Sequence, residues 1–67
     1  MDIKILVGRK IKELRIIRNL TQEQLAYISQ LDRTYINSVE NGKRNISIVN
    51  LEKIAKGLNI RLREFFD

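Results

Sequence analysis

The stretch Thr21–Glu40, TQEQLAYISQLDRTYINSVE, reads as two short helices joined by a tight turn. Thr21 and Gln24 form the Thr-x-x-Gln pattern of a capping box, in which each side chain bonds the backbone N–H of the other and so starts a helix. Asp32 is a second residue of the type that occupies helix N-caps. The sequence therefore predicts one helix that starts after Thr21 and another that starts after Asp32.

The second of these helices separates apolar from polar side chains. Ile36 and Val39, three residues apart, predict its buried face. Arg33 and Tyr35 lie on the two flanks. The residues of the opposite, polar face are Thr34, Asn37, Ser38 and Asn41. A small polar face that opens with Arg-Thr-Tyr at a helix start is typical of a helix that reads DNA.

The length and composition of the chain restrict both its fold and its chemistry. Its 67 residues have room for one domain, 1–67, and the absence of proline together with only three glycines suits an all-α chain. The chain has no Cys and no His, which removes disulfides, most zinc sites, the usual nucleophile and the usual general base. We therefore expect no enzyme, no metal, no cofactor and no small-molecule substrate.

The charge balance indicates a polyanionic partner. Thirteen Lys and Arg against eight Asp and Glu give a net charge of +5, and cations that neutralise phosphates gain free energy from counterion release. Solubility alone is the alternative explanation of this charge. No apolar run reaches the roughly 20 residues of a membrane helix, and the opening MDIKILVGRK lacks the apolar core of a signal peptide. We expect a cytoplasmic protein without a membrane partner.

Three further helices are predicted around the central pair. Residues 1–19 place apolar side chains at helical spacing, and Ser47 caps a fourth helix. The apolar stripe of that fourth helix is Ile48, Leu51, Ile54, Ala55 and Leu58. Residues 60–67, IRLREFFD, suffice for a short closing helix. The sequence therefore predicts five helices in one domain.

Some residues leave two interpretations open. Arg15 borders the apolar face of the first helix, where it is expected to find a carboxylate. Lys43, Arg44 and Asn45 follow the expected helix end at Gly42 and would either grip phosphates or stay solvated. Ile16 and Ile17 are either scattered surface residues or a subunit contact. Phe65 and Phe66 either fill the core or form a dimer contact.

Taken together, the residues resemble a known family. The matching positions are Gly8, Leu14-Arg15, Leu20-Thr21-Gln22, Leu25-Ala26, Ile36, Val39-Glu40, Gly42 and Leu51 to Leu58. Their order resembles the lambda-repressor/Cro-like (XRE-type) helix-turn-helix domain. Within that group, LAYISQLDRTYINSVENGKRNIS is most similar to the controller proteins of restriction–modification systems. Gln30 departs from the glycine common in the turn, and Arg61 from the Ser or Thr that usually opens the last helix.

The resemblance implies a compact five-helix fold with the helix-turn-helix at about 21–41, and a role for each matching residue. Arg15 would pair with Glu40, and Gln22 would touch the DNA backbone. Arg44 and Asn45 would lie on flanking phosphates or groove edges, with Lys43 beside them. The residues expected to face the major groove are Arg33, Thr34, Tyr35, Asn37 and Ser38.

The resemblance also implies the assembly. Two copies would place their recognition helices in successive major grooves about 34 Å apart, as a homodimer on a roughly palindromic operator in double-stranded DNA. Helices four and five would supply the contact, through Leu62, Phe65 and Phe66. The protein would then be a transcriptional regulator. The alternatives are a phage-type repressor or antitoxin of the same fold, and a protein-interaction module in which DNA binding is incidental.

Overall fold

The computed structural model describes residues 2–67, so Met1, which the sequence placed in the first helix, lies outside the described residues. These residues form four α-helices and a closing 3₁₀ helix. The elements are α1 (Ile3–Ile17), α2 (Gln22–Ser29), α3 (Arg33–Glu40), α4 (Ile48–Leu58) and the 3₁₀ helix Leu62–Phe66. The all-α class is confirmed, and the five predicted helices are four α-helices and one short 3₁₀ helix in the closing position. Within residues 2–67, no helix combines the length and the apolar character needed to cross a membrane.

The starts of the helices follow the capping residues, with one difference. The capping box is confirmed, because Gln24 N donates to Thr21 Oγ1 at 3.0 Å and Thr21 N donates to Gln24 Oε1 at 2.8 Å. Ser47 Oγ accepts from the backbone N–H of Asn50 at 3.1 Å. Asp32 occupies the N-cap position of α3, but its side chain makes no capping hydrogen bond. The sequence thus predicted where α3 starts, but the expected hydrogen bond from its first N–H groups to the Asp32 side chain is not formed.

All four α-helices end in the same way, with a residue in the left-handed conformation. The four residues and their φ angles are Asn19 (57°), Gln30 (58°), Gly42 (72°) and Asn59 (57°). In each case the left-handed residue and its successor donate their backbone N–H groups to carbonyls of the last helical turn. Three of the successors, Leu20, Leu31 and Ile60, pack against the core. The chain therefore reverses direction immediately after each helix.

The core lies between the four α-helices and the closing 3₁₀ helix, each of which contributes buried apolar side chains. Gly8 on α1 allows a close approach to the end of α3, because a Cβ there would lie on the Val39 carbonyl oxygen and 3.1 Å from the Glu40 carbonyl oxygen. The buried apolar residues are Val7, Ile11, Leu25, Ala26, Ile36, Val39, Leu51, Ile54, Ala55, Leu58 and Phe65. Ile48 was expected among them but is 65% exposed, since it is the first residue of α4 and lies beyond the core.

The closing element separates the two phenylalanines. Phe65 is 1% exposed and fills the core, whereas Phe66 is 53% exposed. Leu62 is half-buried against the core. Phe65 was expected in a dimer contact, but its side chain is already covered within one chain. It is therefore a core residue. The helix starts with only the Glu64 half of a capping box, in which Glu64 Oε2 accepts from Arg61 N at 2.8 Å, since an arginine side chain has no acceptor.

Candidate nucleic-acid interface

The helix α3 presents one apolar and one polar side, as its sequence predicted. Ile36 and Val39 are buried, and the opposite side is exposed along the helix. A shallow groove runs between this exposed side and the start of α2. Its lining residues are Gln22, Arg33, Thr34 and Asn37. The groove brings the first turns of both helices to one surface, where backbone N–H groups at the start of α2 and the side chains of α3 are accessible together.

A buried ion pair fixes the C-terminal end of α3. Arg15 Nε donates to Glu40 Oε2 at 2.7 Å, and Arg15 Nη2 donates to Glu40 Oε1 at 3.0 Å. The third donor, Nη1, bonds the Leu20 carbonyl at 2.7 Å. The side chains are 11% and 1% exposed for Arg15 and Glu40. The pair is bidentate and charge-assisted, which is the strong form of this contact, and it joins the ends of α1 and α3 to the start of α2.

A chain of carboxamides leads from this pair to the surface. Gln22 Nε2 donates to Glu40 Oε1 at 3.0 Å. Asn37 Nδ2 donates to Gln22 Oε1 at 3.1 Å, and Asn41 Nδ2 donates to Asn37 Oδ1 at 3.2 Å. The sequence reasoning placed Gln22 and Asn37 against DNA but gave them no contacts within the protein. The contact between Asn37 and Asn41 could have been predicted from their four-residue spacing, which brings two side chains together on a helix.

The flank of α3 that faces α4 is held by Tyr35. Its ring is half-buried, and its hydroxyl accepts from Asn50 Nδ2 at 3.1 Å. The guanidinium of Arg44 lies 5.0 Å from the ring centroid, within the range of a cation–π contact. These contacts place the loop after α3 next to the polar side of that helix. Sequence reasoning missed Asn50, because nothing in the chain order relates it to Tyr35.

Six of the nine expected DNA-binding residues therefore lie in two groups. The groove group contains Gln22, Arg33, Thr34 and Asn37. The flank group contains Tyr35 and Arg44. Lys43 and Asn45 are exposed on the loop beside the flank group, and Ser38 is half-buried. All nine belong to α3, to the first turn of α2 or to the loop that follows α3.

A second surface, which adjoins the loop residues Arg44 and Asn45, is mainly apolar. Exposed side chains at the start of α4 and at the end of the closing helix surround a groove of about 220 Å³. The apolar residues of this groove are Ile3, Val7, Val39, Ile46, Ile48, Leu51 and Phe66. Val49 is exposed next to Ile48. Exposed apolar side chains that gather in this way indicate a protein contact rather than solvated surface.

Comparison with known proteins gives consistent matches. The family model described as "Helix-turn-helix" matches residues 11–65. Control protein C.MunI of Mycoplasma sp is 58% identical over 66 residues, which cover 97% of this chain and 89% of that protein. The restriction–modification controller protein C.AhdI of Aeromonas hydrophila superposes with a TM-score of 0.93 at 46% identity, over 94% of this chain and 96% of that one.

A further solved structure contains DNA. The restriction–modification controller protein C.Esp1396I, a tetramer in complex with its natural 35 base-pair operator, is 44% identical with a TM-score of 0.90. The match covers 98% of this chain and 87% of that chain. The matched length spans the groove group, the flank group and the apolar groove, since nearly the whole chain is covered.

Proposed function

Since the chain belongs to the helix-turn-helix family, among the restriction–modification controller proteins, we propose that it is a sequence-specific transcriptional regulator that binds double-stranded operator DNA as a homodimer. One observation carries the proposal. The polar side of α3 is exposed beside the start of α2, and the buried carboxylate of Glu40, paired with Arg15 of α1, also accepts from Gln22 and so ties α3 to the start of α2. The geometry suits a helix in the major groove, with the preceding helix across the backbone.

The side chains at the start of α3 read the bases. Arg33 is exposed at the first turn and can donate twice to guanine O6 and N7. The methyl group of Thr34 can contact a thymine methyl, and Asn37 can pair with adenine. Ser38 can bond either base type. Tyr35 borders this set and carries Arg44 on its ring.

Contacts to the sugar-phosphate backbone lie on both sides of the reading residues. The start of α2 presents free N–H groups near Gln22, which is a favourable site for phosphate. Lys43, Arg44 and Asn45 supply donors from the loop after α3. The net charge of +5 adds an electrostatic contribution to the affinity for DNA. This contribution does not depend on the base sequence and weakens as the salt concentration rises.

The apolar groove is the contact between two copies of the chain. One α3 reaches only a few base pairs, so a pair of chains is needed to read two half-sites. Ile48 and Phe66 are exposed and line this groove, and Val49 is exposed next to Ile48. Leu62 is half-buried against the core. Phe65 is excluded from the contact by its burial. The oligomer of C.Esp1396I on its operator supports an assembly of this kind.

A protein-interaction module is the second candidate, and one observation favours it. Tyr27 is 84% exposed, and together with Ile28 and Leu20 it lines a shallow groove on the outer side of α2. Ile16 and Ile17 are also exposed. A phage-type repressor or an antitoxin would use the same DNA-reading face, so these roles differ in the regulated gene rather than in the site. In each of them the protein acts by binding and not by catalysis.

Selection of bound sequences from random duplex DNA at near-physiological salt tests the proposal. We expect a two-fold symmetric motif whose half-sites are about one helical turn apart. Arg33→Ala would lose the preference at one position of each half-site, and Arg63→Ala, which removes an exposed charge of the closing helix, would keep it. Binding without any motif, fading as salt rises, would contradict the proposal and favour the protein-interaction module.

A further inference from the structure

The carboxamide of Asn37 is held between two other carboxamides. Its Nδ2 donates to Gln22 Oε1 at 3.1 Å, and its Oδ1 accepts from Asn41 Nδ2 at 3.2 Å. A carboxamide has two N–H bonds and two lone pairs. The contact with Gln22 therefore uses one of the two N–H donors of Asn37, and the contact with Asn41 uses one of its two lone pairs. Asn37 keeps one N–H and one lone pair for a base.

Glu40 determines which end of each amide in this chain donates and which end accepts. Its carboxylate, ionised against the guanidinium of Arg15, only accepts hydrogen bonds. Gln22 must therefore turn its NH₂ group toward Glu40 Oε1, 3.0 Å away, and its oxygen toward Asn37. Asn37 must then turn its NH₂ group toward Gln22 and its oxygen toward Asn41. Rotating any one of these amides by 180° would bring two oxygens or two NH₂ groups together.

We propose that Asn41 is a positioning residue, which with Gln22 fixes the orientation of the Asn37 carboxamide and so its preference for adenine. In the major groove adenine presents an acceptor, N7, beside a donor, the N6 amino group. A fixed amide offers its remaining donor and acceptor in one order only, whereas a rotating amide must lose that freedom on binding. This inference rests on the proposed function, because the order of the two groups matters only against a base.

Asn41 itself follows the last residue of α3 and is exposed. It is accessible to substitution without disturbing the core. Its side chain bonds Asn37, and no hydrogen bond of its side chain to Glu40 or Arg15 is present among the described residues. Removing it therefore releases one side of the Asn37 amide and leaves the buried ion pair intact.

A double-mutant cycle of Asn41→Ala and Asn37→Ala tests this. Competition binding is measured on the operator obtained by selection and on duplexes with each base pair changed in turn. The base pair at which Asn37→Ala loses discrimination is the one that Asn37 reads. There we expect Asn41→Ala to lower discrimination about three- to tenfold, as for one lost hydrogen bond, and to add nothing when Asn37 is already alanine. Discrimination at the base pair read by Arg33 is the internal control and stays unchanged.

Two results would overturn the inference and leave the proposed function standing. A loss of affinity that is equal on all duplexes, or that persists in the Asn37→Ala background, would show that Asn41 touches the DNA itself. Unchanged discrimination would show that the amide does not need Asn41. Wild-type protein without any base preference would defeat the proposed function together with the inference.

A measurement without DNA separates these failures. In the free protein, the side-chain NH₂ signals of Asn37 in a ¹⁵N-labelled sample should move in Asn41→Ala, while the thermal unfolding transition stays unchanged. Signals that do not move would show that the Asn37–Asn41 contact is not maintained in solution, and the inference would fall whatever the binding result.

Discussion

The two ends of α3 have opposite surroundings. At the C-terminal end the Glu40 side chain is 1% exposed and bonds Arg15 and Gln22, so that three helices meet in one polar contact. At the N-terminal end Arg33 and Thr34 are exposed beside the groove. Substitutions in the buried contact of Glu40 should therefore change the stability of the fold, and substitutions at the exposed N-terminal end should change the choice of DNA. The following experiments test that division.

Removing the buried carboxylate should have the largest effect. Glu40→Ala leaves the guanidinium of Arg15 without its partner, and breaking a buried ion pair in this way costs about 3–5 kcal/mol. We expect the lower end of that range, because the Arg15 side chain retains 11% exposure. Chemical denaturation measures the change in the free energy of unfolding. Glu52→Ala, which removes an exposed carboxylate on α4, is the matched control and should change stability by less than about 0.5 kcal/mol.

Gly8→Ala should follow, because it forces α1 away from the same end of α3. The added Cβ would lie on the Val39 carbonyl oxygen, and backbone cannot rotate aside as a side chain can. Overpacking of this kind costs about 1–3 kcal/mol. Gly57→Ala on α4 is the comparison: its Cβ would lie 2.7 Å from Ser29 Oγ, a side-chain atom that can rotate where backbone cannot, so a smaller loss is expected. Equal thermal stability of Gly8→Ala and the wild type would mean that the helices do not approach this closely.

At the other end, Arg33→Ala should leave the fold unchanged and alter recognition. Loss of a bidentate contact to guanine reduces discrimination at one base pair by about 1–3 kcal/mol. Competition binding on the selected operator and its single substitutions measures this. If affinity falls equally on all sequences, Arg33 contacts phosphate and the reading role assigned to it is wrong. A lowered melting temperature would show that the two ends are not separate in function.

The smallest effect should come from the turn between α2 and α3. Gln30 adopts a φ of 58°, which a residue with a Cβ adopts at a cost of about 1 kcal/mol relative to glycine. Gln30→Gly should therefore raise the free energy of unfolding by up to about 1 kcal/mol, with a partial offset from the greater freedom of the unfolded chain. Gln30→Ala, which keeps the Cβ, is the control and should bring no gain. A gain in both variants would place the effect in the glutamine side chain instead.

Much of the fold could be predicted because the signals for it are local. The capping box at Thr21 and the glycine at position 42 act within a few residues of themselves, and both start or end a helix as expected. The partner of Arg15 is not local. Composition and spacing indicated only that a carboxylate was needed there, and the resemblance supplied Glu40.

The remaining features depend on the direction in which a side chain points, which its neighbours in the sequence do not specify. Phe65 and Phe66 are adjacent and chemically identical, and only the packing of the closing turn decides which one is buried. Asp32 holds the N-cap position without using its side chain. The contacts of Asn37 with Gln22 and Asn41 depend on where α2 crosses α3, which is a property of the assembled core.

The left-handed endings of the four α-helices also have a consequence for how the chain folds. Because each reverses the chain at once, the connections between helices are short. Short connections keep contacting residues near one another in sequence, and helical domains of this kind fold in about microseconds to milliseconds. The chain has no proline, so isomerisation of prolyl bonds cannot add a slow phase. We expect refolding from denaturant in a single fast phase, which makes the protein competent for assembly almost as soon as the chain is released.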